Sequence, residues 1–313
     1  MELTTEMLRS NGRLTQETIT ARQEYAGMVI AEGLREGRNY SVYGLMGGGK
    51  TGTLGVVCRL IPDLVMFKLA GAQRGNEQEN SIWQRNGAPI TGDVRPVKSI
   101  ADVYQQICSG LVRPGTPISL NEAQFMADSP ADLMRMYELA AKNRNGVFAD
   151  CLVSWFDGQP NENTEAIVHR SDAAFFMAGW DSFTGEPADF TIRLVGIKNG
   201  SVIEQHSEDT YYRGMTAVQR MRLANAVDVS VFGSGLRMID PDGHQIGECT
   251  GMPSHHADPR YAIGASRYRT ATLENYHRIY EAAEISLPAD SIVPASKLFP
   301  LANRVDWNSV TID

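Results

Sequence analysis

Residues 44–51 read Gly-Leu-Met-Gly-Gly-Gly-Lys-Thr, matching the spacing G-x-x-x-x-G-K-[ST]. Residues of these types at this spacing do one kind of chemistry well, which is to grip a string of phosphates. Successive backbone N–H groups must turn inward around the anion, and the required backbone angles are ones that side chains resist. Gly44, Gly47, Gly48 and Gly49 are therefore the candidate cradle. Lys50 would set a point charge on the outer phosphates, and the Thr51 hydroxyl would help to hold Mg²⁺. A helix opening at Thr51 would add its positive end to the same anion. The plainer alternative is a glycine-rich turn with an incidental lysine, but the flanking segments are a strand pattern and a helix pattern, as a phosphate loop requires.

A second group with chemical potential lies in Ile118-Ser119-Leu120-Asn121-Glu122-Ala123-Gln124-Phe125. In a nucleotide-binding sheet a carboxylate at the end of a neighbouring strand positions the metal or an attacking group. Glu122 is the one carboxylate in this segment, because Asn121 carries no charge. Glu122 is read either as a general base for an acceptor hydroxyl or as an acid that stabilises a helix N-terminus by about 0.3–1 kcal/mol.

The elements that must position these groups follow from periodicity. Residues 4–36 place apolar side chains at helical spacing, from Met7 and Leu8 to Ile30 and Leu34. Residues 39–43 read as a β-strand, and residues 51–60 as the helix that the loop opens. Strand patterns at 64–67, 117–120, 147–153 and 190–196 alternate with helix patterns at 99–109 and 130–143, with a further apolar run at 172–178. Strand, helix, strand at this pitch predicts βαβ units and a mostly parallel sheet. Beyond residue 196, helix patterns occur at 215–226 and 271–283. Residues 233–264 are rich in Gly, Pro, Asp and His and read as loop. The last thirty or so residues read as a tail packed over a surface.

Five stretches, in order, resemble the thymidine kinase family of the P-loop type that carries a zinc-bearing lasso. The first is Gly44-Leu45-Met46 leading into Gly49-Lys50-Thr51, against G-P-M-x-S-G-K-T. Then come Phe67-Lys68 with Arg74, followed by Arg85-Asn86-Gly87 in the place of S-H-D-G. Asn121-Glu122-Ala123-Gln124-Phe125 stands against D-E-A-Q-F. Leu152, Phe156, Gly158 and Pro160 follow G-L-x-x-D-F-x-G-x-P, and Ser171-Asp172 with Ala188, Phe190, Thr191 and Arg193 follow a closing A-x-x-T-x-R. The likeness spans about residues 40–195, with a looser echo at Tyr261 and Arg267.

The resemblance implies an α/β, P-loop NTPase-like, mostly parallel sheet with flanking helices and a smaller lasso or insertion region. It implies three parts: a helical extension over 1–38, a kinase-like domain over 39–195, and an insertion, lasso-like region and tail over 196–313. The implied activity is ATP- and Mg²⁺-dependent phosphorylation of the 5′-hydroxyl of a thymidine-like deoxynucleoside. Lys50 and Thr51 would hold phosphate and metal, Glu122 would be the base, and Arg74 would sit near the transferred phosphate. Phe156 would pack against the nucleobase, and Tyr261 would close over it. The family is commonly tetrameric, which implies a homo-oligomer, and a cytoplasmic location is expected.

Departures from the family pattern keep a second reading open. The family aspartate after Lys68 is Ala72, the one before the catalytic glutamate is Asn121, and the one beside Phe156 is Trp155. The zinc cysteines are absent, with Trp180 and Phe183 at the first pair and Ser266 and Arg269 near the second, so no zinc site is expected. A nucleotide-binding protein derived from such a kinase, with impaired catalysis and a regulatory or assembly role, is the alternative.

Composition sets the outer bounds. Apolar residues make up 42% and charged residues 21% of 313, an ordinary globular balance. The net charge of -8 argues against duplex nucleic acid as a partner, which calls for a basic footprint. Cys58, Cys108, Cys151 and Cys249 form no C-x-x-C pair, so reduced thiols are expected. The cluster of Cys249, His244, His255 and His256 matches no standard zinc spacing. No secretory signal is read at the N-terminus, and no apolar run reaches the roughly 18 residues of a membrane span.

Overall fold

The computed structural model describes residues 3–9, 14–45, 47–70, 79–83, 88–154, 160–179, 187–198, 201–206, 209–214, 229–232, 235–239, 245–249, 252–253, 267–271, 293–299 and 301–312. The chain divides into two compact units. The first comprises Met1–Val153, Pro160–Met177 and Lys297–Asp313, and the second Ser154–Gln159 and Ala178–Ser296.

The first unit carries the chemistry-bearing segments. Its strands are β1 (Tyr40–Gly44), β2 (Val65–Leu69), β3 (Ile82–Trp83), β4 (Pro89–Ile90), β5 (Asp93–Val97), β6 (Ile118–Asn121), β7 (Val147–Leu152) and β8 (Ala173–Met177). Its helices are α1 (Thr5–Leu8), α2 (Gln16–Arg35), α3 (Lys50–Leu60), α4 (Ile100–Cys108), α5 (Pro130–Lys142) and α6 (Glu162–Arg170). Six strands form one sheet in the order β5-β2-β6-β7-β1-β8, and every pairing within it is parallel. β3 and β4 form a separate two-stranded antiparallel ribbon between β2 and β5. All five residues of β1 are buried, as befits a strand covered on both faces.

The order of the strands fixes where the helices go. From β1 the chain crosses through α3 to β2, passing β7 and β6. From β5 it returns the other way, through α4 to β6, α5 to β7 and α6 to β8. Right-handed crossovers taken in opposite directions set α3 on one face and α4, α5 and α6 on the other. Helix packing agrees: α2 lies on α3, whereas α4, α5 and α6 pack in a row. The direction reverses between β1 and β7, so the crevice beyond their carboxyl ends is the topological switch point of the sheet.

Local signals explain the helix ends. Thr15 caps α2, its hydroxyl accepting from the Thr18 N–H at 3.1 Å. Asn161 caps α6 in the same way through the Thr164 N–H. Pro130 opens α5, where its missing N–H costs nothing. The alternating elements expected from periodicity are present. The strand expected over 64–67 runs one residue later at its start and ends at Leu69, because the ladder with β5 sets its bounds.

The C-terminal residues return to this unit. Asn303 and Val305 bond to the Ala174 backbone alongside β8, and the Trp307 Nε1–H donates to the Phe176 carbonyl at 2.8 Å. The Trp307 ring packs near Phe175 and Tyr25, with the Arg22 guanidinium 5.1 Å from its centroid. The tail thus covers the face that holds α2.

In the second unit the described strands are β9 (Phe190–Lys198), β10 (Ser201–His206), β11 (Asp209–Gly214), β12 (Val229–Phe232), β13 (Gly235–Ile239), β14 (Gln245–Cys249), β15 (Met252–Pro253) and β16 (Arg267–Ala271). They pair antiparallel, with β9 central to β10, β15 and β16, while β12, β13 and β14 form a meander. The loop expected over 233–264 is corrected here, since β13, β14 and β15 fall inside it. Gly235, Gly247 and Pro253 of this stretch lie within those strands, and residues 233–234, 240–244, 250–251 and 254–264 of it lie outside the described residues. The helix expected over 215–226 and nearly all of that over 271–283 lie outside the described residues.

Trp307→Ala should destabilise the first unit by about 3–5 kcal/mol, the usual cost of removing a buried tryptophan. The shift of the urea unfolding midpoint of the full chain checks this.

Candidate functional site

At the carboxyl end of β1 the chain must leave the sheet between two neighbours and turn at once into α3. At Gly44 a Cβ would stand 2.0 Å from the Met177 carbonyl oxygen of β8, so no larger residue fits there. Gly47 and Gly49 hold left-handed backbone, with φ of 80° and 91°, and Gly49 is the N-cap of α3. The Gly48 N–H donates to the Leu45 carbonyl at 3.3 Å and closes the turn. Lys50 and Thr51 occupy the first turn of the helix, as the spacing demands. The Lys50 ammonium donates to the Leu45 carbonyl at 2.7 Å and lies 3.4 Å from that of Gly44, so it folds back over the loop.

A residue of the N-terminal helix supports this turn. Gln23 on α2 donates its Nε2–H to the Gly49 carbonyl at 2.9 Å. A Cβ at Gly49 or Gly52 would meet the same amide nitrogen at 2.4 or 2.2 Å. Nothing in the Gln23 sequence context marked it, because its partner is brought in by helix packing alone.

Glu122 stands two strands away, immediately after β6, in left-handed backbone with φ of 52° and ψ of 48°. A non-glycine residue in this conformation costs about 1–2 kcal/mol, a cost that concentrates at functional sites. The left-handed turn points the Glu122 N–H at Asp150 Oδ1, which accepts it in a short hydrogen bond. Asp150 Oδ2 accepts from Asn121 Nδ2 at 2.9 Å. Gln124 ties the same corner to β7, its Oε1 accepting from the Leu152 N–H at 3.2 Å.

Asp150 is the residue that motif reading missed. It lies in the middle of β7 opposite Val42 of β1 and is 2% exposed. Burial pushes its carboxyl up, from 3.8 to about 6. The Glu122 N–H, the positive charge of Lys50 and the Asn121 amide pull the other way, while the negative charge of Glu122 adds to the rise. The signal was present in the sequence: a lone carboxylate within the apolar run Val147-Phe148-Ala149-Asp150-Cys151-Leu152. Aspartate is almost never fully buried without a partner.

The structure therefore brings together Lys50, Thr51 and the glycines at one turn, and bonds the Glu122 N–H to Asp150, which pairs in register with Val42 of β1, two residues before Gly44. Arg74, Phe156 and Tyr261 lie outside the described residues, as do Ala72, Trp155, Trp180, Phe183, His244, His255 and His256. No helix among the described residues is long and apolar enough to cross a membrane. No protein-family model matches the chain, and no curated protein matches its sequence.

A carboxyl raised from 3.8 to about 6 by burial favours the fold fully below 3.8, and that contribution is lost as pH rises through 6. Asp150→Asn removes this titration while keeping the size of the side chain. The variant should be more stable than the parent at pH 7 by on the order of 1–3 kcal/mol. It should also lose part of the pH dependence between about 4 and 6. Thermal unfolding midpoints across that range check both.

Proposed function

We propose that the first unit is a P-loop NTPase-like core that binds ATP on Gly44–Thr51 and transfers its γ-phosphoryl group to the 5′-hydroxyl of a thymidine-like deoxynucleoside. One observation carries this reading. The glycine turn, with Lys50 in the first turn of α3, sits at the switch point of a six-stranded parallel sheet, and Glu122 ends the strand two places away. In open α/β sheets, ligands bind outside the carboxyl ends of the strands at such a point.

The residues present fit a magnesium triphosphate. A Cβ at Gly44 would meet the Met177 carbonyl of β8 and one at Gly49 the Gln23 side chain of α2, so the turn is packed from behind as bare backbone. The Thr51 hydroxyl would offer a hard oxygen donor of the kind Mg²⁺ prefers. Held there, the cation would neutralise phosphate charge that the protein alone would leave unbalanced. Lys50 steadies the outer phosphates, and the amides at the start of α3 add their dipole. Glu122 takes the proton of the acceptor hydroxyl as the acceptor oxygen bonds to the γ-phosphorus. The bond from that phosphorus to the β-γ bridging oxygen breaks, and ADP leaves with the electron pair. Positioning and charge neutralisation do most of the work, with little covalent chemistry for the protein.

Asn121 favours the second reading, a nucleotide-binding protein with impaired turnover, because it puts a neutral amide where the resemblance expects a charge.

Two variants test these readings. Lys50→Ala should abolish the thermal stabilisation that ATP and Mg²⁺ confer on the full chain. Glu122→Gln should lower kcat for deoxynucleoside phosphorylation by roughly 10²–10⁴ while leaving ATP affinity within about two-fold. Stabilisation by ATP with no monophosphate formed from any deoxynucleoside would select the binding protein. No stabilisation by any triphosphate would remove both readings.

A further inference from the structure

The parts of this site do not add up electrostatically as the sequence lays them out. Position 121 ends β6, two strands away from β1, and carries an amide. One strand closer to the loop, Asp150 is held nine-tenths or more out of water in a strand whose neighbours Ala149 and Cys151 are apolar and fully buried. A carboxylate in that place is expensive, and an alanine or cysteine would pack there at no such cost. The Asn121 amide does not replace the missing charge. It donates to Asp150 Oδ2 and so steers the carboxylate.

We propose that Asp150 is the metal-positioning carboxylate of the site, moved from β6 to the adjacent β7, with Asn121 and the Glu122 N–H as the groups that orient it. The assignment rests on the phosphate-loop reading above and deepens it. Two observations converge. Register sets Asp150 beside Val42, two residues before the Leu152–Gly44 pair where the loop begins. An ionised carboxylate has about four lone-pair sites. The Asn121 amide and the Glu122 N–H use two of them, which leaves acceptor capacity for a water or a cation.

The left-handed backbone of Glu122 follows from the same arrangement. It turns one N–H onto Asp150 and leaves the Glu122 side chain on the loop that follows β6. The metal-positioning and proton-accepting roles then sit on one hydrogen-bonded unit, so that a change at Asp150 is felt at Glu122.

The test is the magnesium increment: the ratio of ATP affinity with Mg²⁺ to that in EDTA, measured by calorimetry on the full chain. The parent should bind ATP more tightly with Mg²⁺. Asp150→Asn should keep the EDTA affinity within about two-fold and lose about 10–100-fold of the magnesium-dependent gain, as loss of an outer metal partner does. Asn121→Asp combined with Asp150→Asn, which returns the carboxylate to β6, should recover part of the increment. A purely structural role for Asp150 would instead alter both affinities together. Asp150→Ser, smaller and neutral, serves if the amide variant fails to fold. An increment kept in full by Asp150→Asn or Asp150→Ser overturns the assignment, as does a parent affinity indifferent to Mg²⁺; either result leaves the phosphate loop standing. A parent that binds no triphosphate at all overturns the loop reading and this assignment with it.

Discussion

The first unit depends on one constraint: β1 runs between two parallel neighbours and must leave them in a single tight turn. Flanked by β7 and β8 and buried along its whole length, it has no slack at its carboxyl end. The chain passes within reach of the Met177 carbonyl, where only hydrogen fits on Cα, and then winds through left-handed backbone into α3. The Gly48 N–H closes this turn on the Leu45 carbonyl, and Gln23 holds the Gly49 carbonyl from the side of α2.

Charge around this turn is arranged across three strands rather than along one motif. Lys50 stands in the first turn of α3, Asp150 lies on β7 beside Val42 of β1, and Asn121 and Glu122 bond to it from the end of β6. Burial pushes the Asp150 carboxyl up to about 6, so its ionised form carries a cost of being kept from water that the Asn121 amide and the Glu122 N–H offset in part.

Both ends of the first unit reinforce its central turn from behind. Gln23 of α2 grips the Gly49 carbonyl, and Trp307 fastens the tail to β8 and to Arg22 and Tyr25 of the same helix. Residues distant in sequence thus meet on the face that carries α3. The resemblance to thymidine kinases, which begins near residue 40, offered no role for either. Their place comes from packing area and directed backbone bonds.

Much of this was legible in the chain itself. Apolar periodicity located β1, β6, β7, α4 and α5 to within a residue or two, and the glycine–lysine–threonine spacing located the loop, because such signals are local. The loop over 233–264 was misread for the same local reason, since turn residues mark strand ends as well as open coil. Asp150 stood in plain view within an apolar run, but its partners are Asn121, Glu122 and Lys50, far off in sequence. Only the strand order, which sets β7 between β6 and β1, brings those groups together. The sequence determined which segments become strands and where the glycine–lysine–threonine turn falls. Tertiary structure decided which carboxylate is buried on the strand beside β1, because a buried charge is defined by the neighbours that long-range pairing supplies.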